Sequence, residues 1–200
     1  GVLVTQWGTS GSGDGQFLGP HGVAVDGSGN VYVADYANRR VQKFTSAGVF
    51  VTKWGGTFQF GNPYGVAVDG SGNVYVTDSS NHRVQKFTSA GVFVTKWGTG
   101  GSGDGQFNQP LGVAVDGSGN VYVADYNNHR IQKFTSAGVF VTKWGTFGSG
   151  DGQFQYPLAV AVDGSGNVYV ADSWNSRVQK FTSAGVFVTK WGTFGSGDGQ

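Results

Sequence analysis

Short apolar runs, each broken after a few positions by Gly, Asn, Asp or Ser, fill the chain from end to end. One stretch, GVAVDGSGNVYVADYNNHRIQKFTSAGVFVTKW over residues 112–144, recurs with few changes from Gly22, Gly65 and Ala159. Within it, residues 113–115 are a small, nearly continuous apolar run that suits a strand covered on both faces. The DGSGN segment that follows is rich in residues tolerating positive φ and predicts a chain reversal. Residues 121–124, β-branched and aromatic, predict a second strand, and 125–130 a tighter reversal. Residues 131–134 predict a third strand, TSAG a further turn, and 139–144 an outermost fourth strand. No 3.6-residue periodicity occurs, so essentially no helix is expected. Four antiparallel strands in a repeating unit of this length are the pattern of a propeller blade.

The expected fold is therefore all-β: a β-propeller of four-stranded antiparallel blades at residues 22–55, 65–98, 112–145 and 159–192, in one domain spanning 1–200. Gly-rich connectors separate the blades, the second shorter by four residues and lacking GSGDGQF. Residues 1–8, GVLVTQWG, resemble GVFVTKWG at 48–55 and make one extra outer strand. Fourth strands thus outnumber the other three, and both 2–7 and 186–191 are suited to complete blade four. An unclosed stack leaves two apolar faces in water. The resolutions are a strained four-blade ring, a ring shared between chains, or part of a longer array. Self-association is the expectation, because identical blades and interchangeable end strands make exchange between chains cheap.

Composition narrows the field. The 37 Gly residues fall at turn positions in register with the repeat, which marks hairpins rather than disorder. A net charge of +1, with Lys and Arg interspersed among Asp, gives no basic stripe for nucleic-acid phosphates. Cysteine is absent, which removes disulfides and thiolate metal sites and leaves the redox compartment, like the localisation, without a signal. GVLVTQWG lacks a charged region followed by an apolar core, so no signal peptide is expected. No run approaches the roughly 20 apolar residues of a membrane-spanning helix, and the chain is expected to be soluble.

The combination of GVAVD, NVYVAD, the NHR of the second and third blades, and GDGQF…P between blades resembles the NHL-repeat β-propeller family along essentially the whole chain. The resemblance implies a propeller, usually of six blades, serving mostly as a binding platform for proteins or RNA. Four blades depart from that pattern. The near-identity of the repeats points to an engineered or recently amplified sequence.

Asp and Arg recur five residues apart, as Asp35/Arg40, Asp78/Arg83, Asp125/Arg130 and Asp172/Arg177, with Asn38, Asn81, Asn128 and Asn175 two before each Arg. Their presence in every blade marks them as structural pairs across the reversal, with Asn in a left-handed backbone position. The DGSGN turns lack the distant acidic ligand of a calcium loop. The connectors lack the Gly-Lys-Ser/Thr ending of a phosphate loop. A catalytic zinc needs three converging ligands; His82 and His129 occupy equivalent places on neighbouring blades, about a blade's width apart. The family resemblance extends to a zinc-dependent amidating lyase domain, but its histidine constellation is not recognisable here. No catalytic residue, metal site or cofactor is assigned, and the expected class is not an enzyme.

The blades differ mainly at the reversal after the second strand and at the end of each connector, two segments that emerge on one rim. Loops on one face of a rigid scaffold are where binding residues usually sit. Tyr36, Arg39, Tyr64, His82, Tyr126, His129, Tyr156 and Trp174 are the candidate binding residues, aromatic and Arg side chains being the usual anchors. The expected function is a self-assembling scaffold whose variable rim binds a protein or peptide. Single-stranded RNA recognition by stacking is the alternative, and a metal-dependent lyase or hydrolase the third reading.

Overall fold

The structure, a computed structural model, describes Gly1 and residues 4–199. A two-residue parallel pair, β1 (Thr9–Ser10) and β2 (Gln16–Phe17), precedes the first blade. Blade 1 comprises β3 (Pro20–Val25), β4 (Val31–Asp35), β5 (Arg40–Phe44) and β6 (Phe50–Gly55). Blade 2 comprises β7 (Pro63–Val68), β8 (Val74–Asp78), β9 (Arg83–Phe87) and β10 (Phe93–Trp97). Blade 3 comprises β11 (Pro110–Val115), β12 (Val121–Asp125), β13 (Arg130–Phe134) and β14 (Phe140–Trp144). Blade 4 comprises β15 (Pro157–Val162), β16 (Val168–Asp172), β17 (Arg177–Phe181) and β18 (Phe187–Trp191). Each blade is an antiparallel meander in sequence order. The inner strand starts earlier than the apolar run, at proline, because Pro20, Pro63, Pro110 and Pro157 pair with the Asp that ends the second strand, across a register shift.

The turns follow from side-chain chemistry. Asp116 Oδ1 accepts the backbone N–H groups of Ser118 at 3.0 Å and Asn120 at 2.8 Å, closing the first hairpin. Gly119 supplies the φ of +83° that this hairpin requires. No α-helix occurs among the described residues; the second reversal is a single 3-10 turn in blades 2 to 4, at Ser79–Asn81, Tyr126–Asn128 and Ser173–Asn175.

The core lies between blades. Tyr32, Ala34 and Val41 of blade 1 pack with Val66, Val74, Val76 and Phe87 of blade 2, and the same faces meet between blades 2 and 3 and between blades 3 and 4. Full burial of each such aromatic or branched side chain stabilises by about 1.5–3 kcal/mol. Blades 1 and 4 share no such core cluster among the described residues, so the four sheets form an open arc. The exposure of one equivalent position tells this directly: Val66 is 6%, Val113 8% and Val160 8% exposed, whereas Val23 of blade 1 is 65% exposed.

Of the two segments suited to complete blade 4, the one at 186–191 does so. Blade 4 carries its own fourth strand, β18. Residues 4–8 form no strand, and Trp7 packs on Phe44 and Phe17 at the free face of blade 1. Val2 and Leu3 lie outside the described residues.

Candidate functional site

One rim of the arc is built by the reversals after the second strands and by the connector ends. Backbone hydrogen bonds tie the two together, Ala37 N–H to Leu18 O, Ser79 N–H to Asn62 O, Asn127 N–H to Asn108 O and Trp174 N–H to Gln155 O, at 3.0–3.1 Å. The left-handed residue in each reversal is the one after Asn: Arg39, His82, His129 and Ser176, with φ of 50–54°. This corrects the expectation of Asn there. Each Asn side chain instead turns down, and Asn128 Nδ2 donates to Asp125 Oδ2 at 2.9 Å and to Gly101 O at 2.8 Å.

The Asp beneath each reversal organises the rim. Asp35, Asp78, Asp125 and Asp172 are fully buried and accept from the Nε–H of Arg40, Arg83, Arg130 and Arg177 at 2.7–2.8 Å. The other carboxylate oxygen takes a connector N–H, that of Leu18, Gly61, Asn108 or Gln155. The Arg130 guanidinium also donates to the carbonyls of Ser102, Gly103 and Gln106. In blade 2 the shorter connector leaves Arg83 the carbonyl of Gln59. A buried charge pair with its remaining donors and acceptors satisfied is what holds such loops in one geometry.

On this support the variable side chains come together. His21 stacks on Tyr64 with centroids 4.2 Å apart, and Tyr36 meets His21 edge-on at 4.9 Å. Farther round the arc, Tyr126 lies 5.0 Å from Tyr156, which contacts His129 at 4.6 Å and Trp174 at 4.7 Å. Burial pushes the Tyr64 hydroxyl up, and the nearby Tyr126 and Tyr36 add to the effect. Trp174 is 67% exposed. Beside this belt a cleft of about 300 Å3 draws on all four inner strands, with His21, Tyr64, Gly112 and Leu158 in its wall.

Two of the histidines serve as acceptors. His82 Nδ1 takes the N–H of Gln109 at 3.1 Å, and His129 Nδ1 takes that of Tyr156 at 3.2 Å, bonds that link neighbouring blades. Burial lowers the His129 pKa against the opposing charges of Asp125 and Asp172. Arg39 is exposed, and neither Arg39 nor His82 joins the aromatic contacts among the described residues. Phe147, 62% exposed and 4.9 Å from His129, does join them. It stands at a connector position that reads Ser10, Phe58 and Gly100 elsewhere, so comparison of the repeats alone carried the signal for it. No group of three metal-ligating side chains occurs among the described residues.

The opposite rim is polar and uniform. Asp26, Asp69, Asp116 and Asp163 each accept from the Asn and the Tyr hydroxyl of their own hairpin, at 2.8–3.0 Å. Lys43, Lys86 and Lys133 reach the Ser89, Ser136 and Ser183 carbonyls of the next blade. The Asp bonds close each hairpin and the Lys bonds fasten blades 1 to 3 to the next one, while the DGSGN and TSAG turn sequences repeat without variation.

Known proteins align with this geometry. The protein lin-41 of Caenorhabditis elegans is 47% identical over 53 residues, which is 26% of this chain and 4% of that protein. A streptogramin B lyase structure superposes with a TM-score of 0.70 at 16% identity, over 88% of this chain and 55% of the lyase. A catalytically inactive virginiamycin B lyase from Staphylococcus aureus, with quinupristin, gives 0.69 at 16% identity, over 90% and 58%. This chain thus spans little more than half the length of those structures, and at such identity they share its fold. The NHL repeat family matches residues 17–44, 60–87, 107–134 and 154–181, one match per blade and together more than half of the chain. The chain belongs to the NHL-repeat family and has a β-propeller fold.

Proposed function

We propose that this chain is a non-enzymatic binding module whose aromatic rim takes an extended protein or peptide segment. The observation that carries this reading is the continuous belt of Tyr126, Tyr156, His129 and Trp174, with Trp174 67% exposed although it is among the largest side chains present. Large amphipathic rings on a rigid base supply contact area at low entropic cost, and they dominate interface hot spots. The cleft bordered by His21, Tyr64 and Leu158 offers an apolar seat for one side chain of the segment. Single-stranded RNA also stacks on such rings, but it asks for cationic support along the backbone, and Arg39 is the one Arg among the varied loop residues.

A peptide array probed with the wild-type chain and with a Tyr126→Ala/Tyr156→Ala/Trp174→Ala variant tests this, with labelled oligouridine at low salt as a second arm. Peptide capture by the wild type, lost in the variant, supports the reading. Capture undiminished in the variant, or a salt-sensitive shift of oligouridine without peptide capture, overturns it.

A further inference from the structure

Blade 2 keeps the polar groups that hold a connector in the other three blades but lacks the connector segment that meets them. In blade 3, five consecutive connector residues each spend one polar group on the blade. Gly101 O accepts from Asn128 Nδ2 at 2.8 Å, Ser102 O from Arg130 Nη1 at 2.7 Å and Gly103 O from Arg130 Nη2 at 2.8 Å. Asp104 Oδ1 takes Lys143 Nζ at 2.6 Å, and the Gly105 N–H donates to Gln132 Oε1 at 3.0 Å. Residues 11–15 do the same for blade 1, and residues 148–152 for blade 4.

The corresponding groups of blade 2 are Asn81, Arg83, Lys96 and Gln85, held in the same register. Lys96 pairs across the sheet with Gln85 as Lys143 does with Gln132, and Arg83 keeps its bond to Asp78. The connector before blade 2 is shorter by four residues and closes early, the N–H groups of Gln59 and Phe60 both bonding to Gly56 O at 3.0 Å. Among the described residues, the Asn81 amide then reaches only Asp78, and Arg83 only Asp78 and Gln59. Gln85 donates to Gln59 and Asp78, but its Oε1 receives no N–H, and Lys96 has no ion pair. Lys96 and Asn81 are exposed, and the Arg83 side chain is 19% exposed against 7–9% for its counterparts. We propose that this uncovered notch of blade 2 binds an extended, Gly-rich acidic segment of a partner protein, which supplies there the carbonyls and the carboxylate that the connector supplies elsewhere.

Each part of that ligand follows from the blades where the seat is filled. The carboxylate belongs at Lys96, because Asp78 already neutralises Arg83 and Lys96 is the charge left over. Neutral carbonyls suit Arg83, whose remaining N–H groups need acceptors rather than a second anion. A phosphate-rich strand would bring charge to both cations and fits this division less well. Glycine is needed on either side of the acidic residue, since Gly101 and Gly105 have φ of +148° and +74°. Asn81, Arg83, Gln85 and Lys96 take no part in the aromatic belt, so the notch is a site separate from that surface and does not rest on its reading.

The test is titration of the isotope-labelled chain, followed in a proton–nitrogen correlation spectrum, with the blocked peptide SGSGDGQF, the sequence of residues 10–17. Saturable shifts are expected at Arg83, Gln85 and Lys96. Asn in place of the peptide's Asp, and Lys96→Ala in the chain, are each expected to weaken binding about fivefold. Lys143→Ala, which breaks the equivalent pair in blade 3, should leave the peptide's affinity unchanged. Replacing residues 56–59 by the sequence of residues 99–106 fills the notch from within. That variant is expected to lose peptide binding while the signals of blades 3 and 4 stay in place, which separates occupation of the site from loss of fold. Absence of saturable shifts in the wild type overturns the proposal, as does undiminished binding by the filled variant or equal affinity for the Asp and Asn peptides. Binding of labelled oligouridine that depends on Lys96, without binding of the peptide, overturns it in favour of a phosphate ligand.

Discussion

Asp125 accepts the Nε–H of Arg130 at 2.7 Å, and both side chains lie out of water beneath the rim. Removing one member leaves the other as an uncompensated buried charge, at a cost of about 3–5 kcal/mol. Asp125→Ala is therefore expected to lower unfolding stability by about that amount in urea titration. Arg130 holds three connector carbonyls, whereas Arg83 reaches Gln59 and is more exposed, its side chain at 19% against 7%. Arg130→Ala should then destabilise more than Arg83→Ala. Equal losses would contradict the part assigned to the connector.

The hub sets a second expectation. A Cβ on Gly112 would fall 2.8 Å from Ala159 Cα and 2.9 Å from Leu158 O, atoms of backbone that have little room to move. Gly112→Ala is expected to cost about 1–3 kcal/mol by overpacking. Ala159→Gly, on a face with no blade packed against it among the described residues, should change stability by about 1 kcal/mol or less. Urea denaturation of the two variants beside the wild type compares them. A harmless Gly112→Ala would show that the inner strands are not in close contact.

Proton linkage acts at both ends of the pH scale. Burial pushes the Asp26, Asp69 and Asp116 carboxyls up, but hydrogen bonds from the Asn and Tyr of the same hairpin outweigh it and leave them below the usual range. The Asn167 side chain leads the bonds that bring Asp163 down to about 2. A group depressed in the folded state is protonated first in the unfolded chain, so stability present above about pH 3.9 is lost as the pH falls toward about 2. Burial raises the Tyr32, Tyr75 and Tyr122 hydroxyls above their ordinary value, helped by their bonds to Asp. That stability is complete below about pH 10 and is lost above it. His129, depressed by burial, gives a smaller loss as the pH falls below about 6.5, because its Nδ1 must stay unprotonated to accept the Tyr156 N–H. Melting temperature against pH should thus be flat near neutrality, dip slightly below pH 6.5 and drop steeply in acid. A melting temperature unchanged from about pH 4 to pH 2 would contradict the hairpin carboxylates' share.

Much of the fold was legible because each repeat restates it. Short apolar runs broken by DGSGN and TSAG turns located four strands per blade, and the varied loop positions pointed to the rim where Tyr36, Tyr126, Tyr156 and Trp174 stand. Three features stayed hidden for physical reasons. Proline begins each inner strand through a pairing across a bulge, which an apolar run does not register. The left-handed position falls on Arg39 or His129 rather than on Asn, since the Asn amide is engaged by the buried Asp below. The seat of Trp7 depends on which blade face is free, and that is a property of the arc, not of the local sequence.

The belt of rings makes a spectroscopic test direct. The indole nitrogens of Trp54, Trp97 and Trp144 are buried between blades, while Trp174 stands exposed on the rim beside Tyr156. In a proton–nitrogen correlation spectrum, titration with a peptide selected on the array should move the Trp174 indole signal and leave those three in place. Movement of the interblade indoles with Trp174 unchanged at saturation would place the ligand elsewhere and contradict the rim as the binding surface.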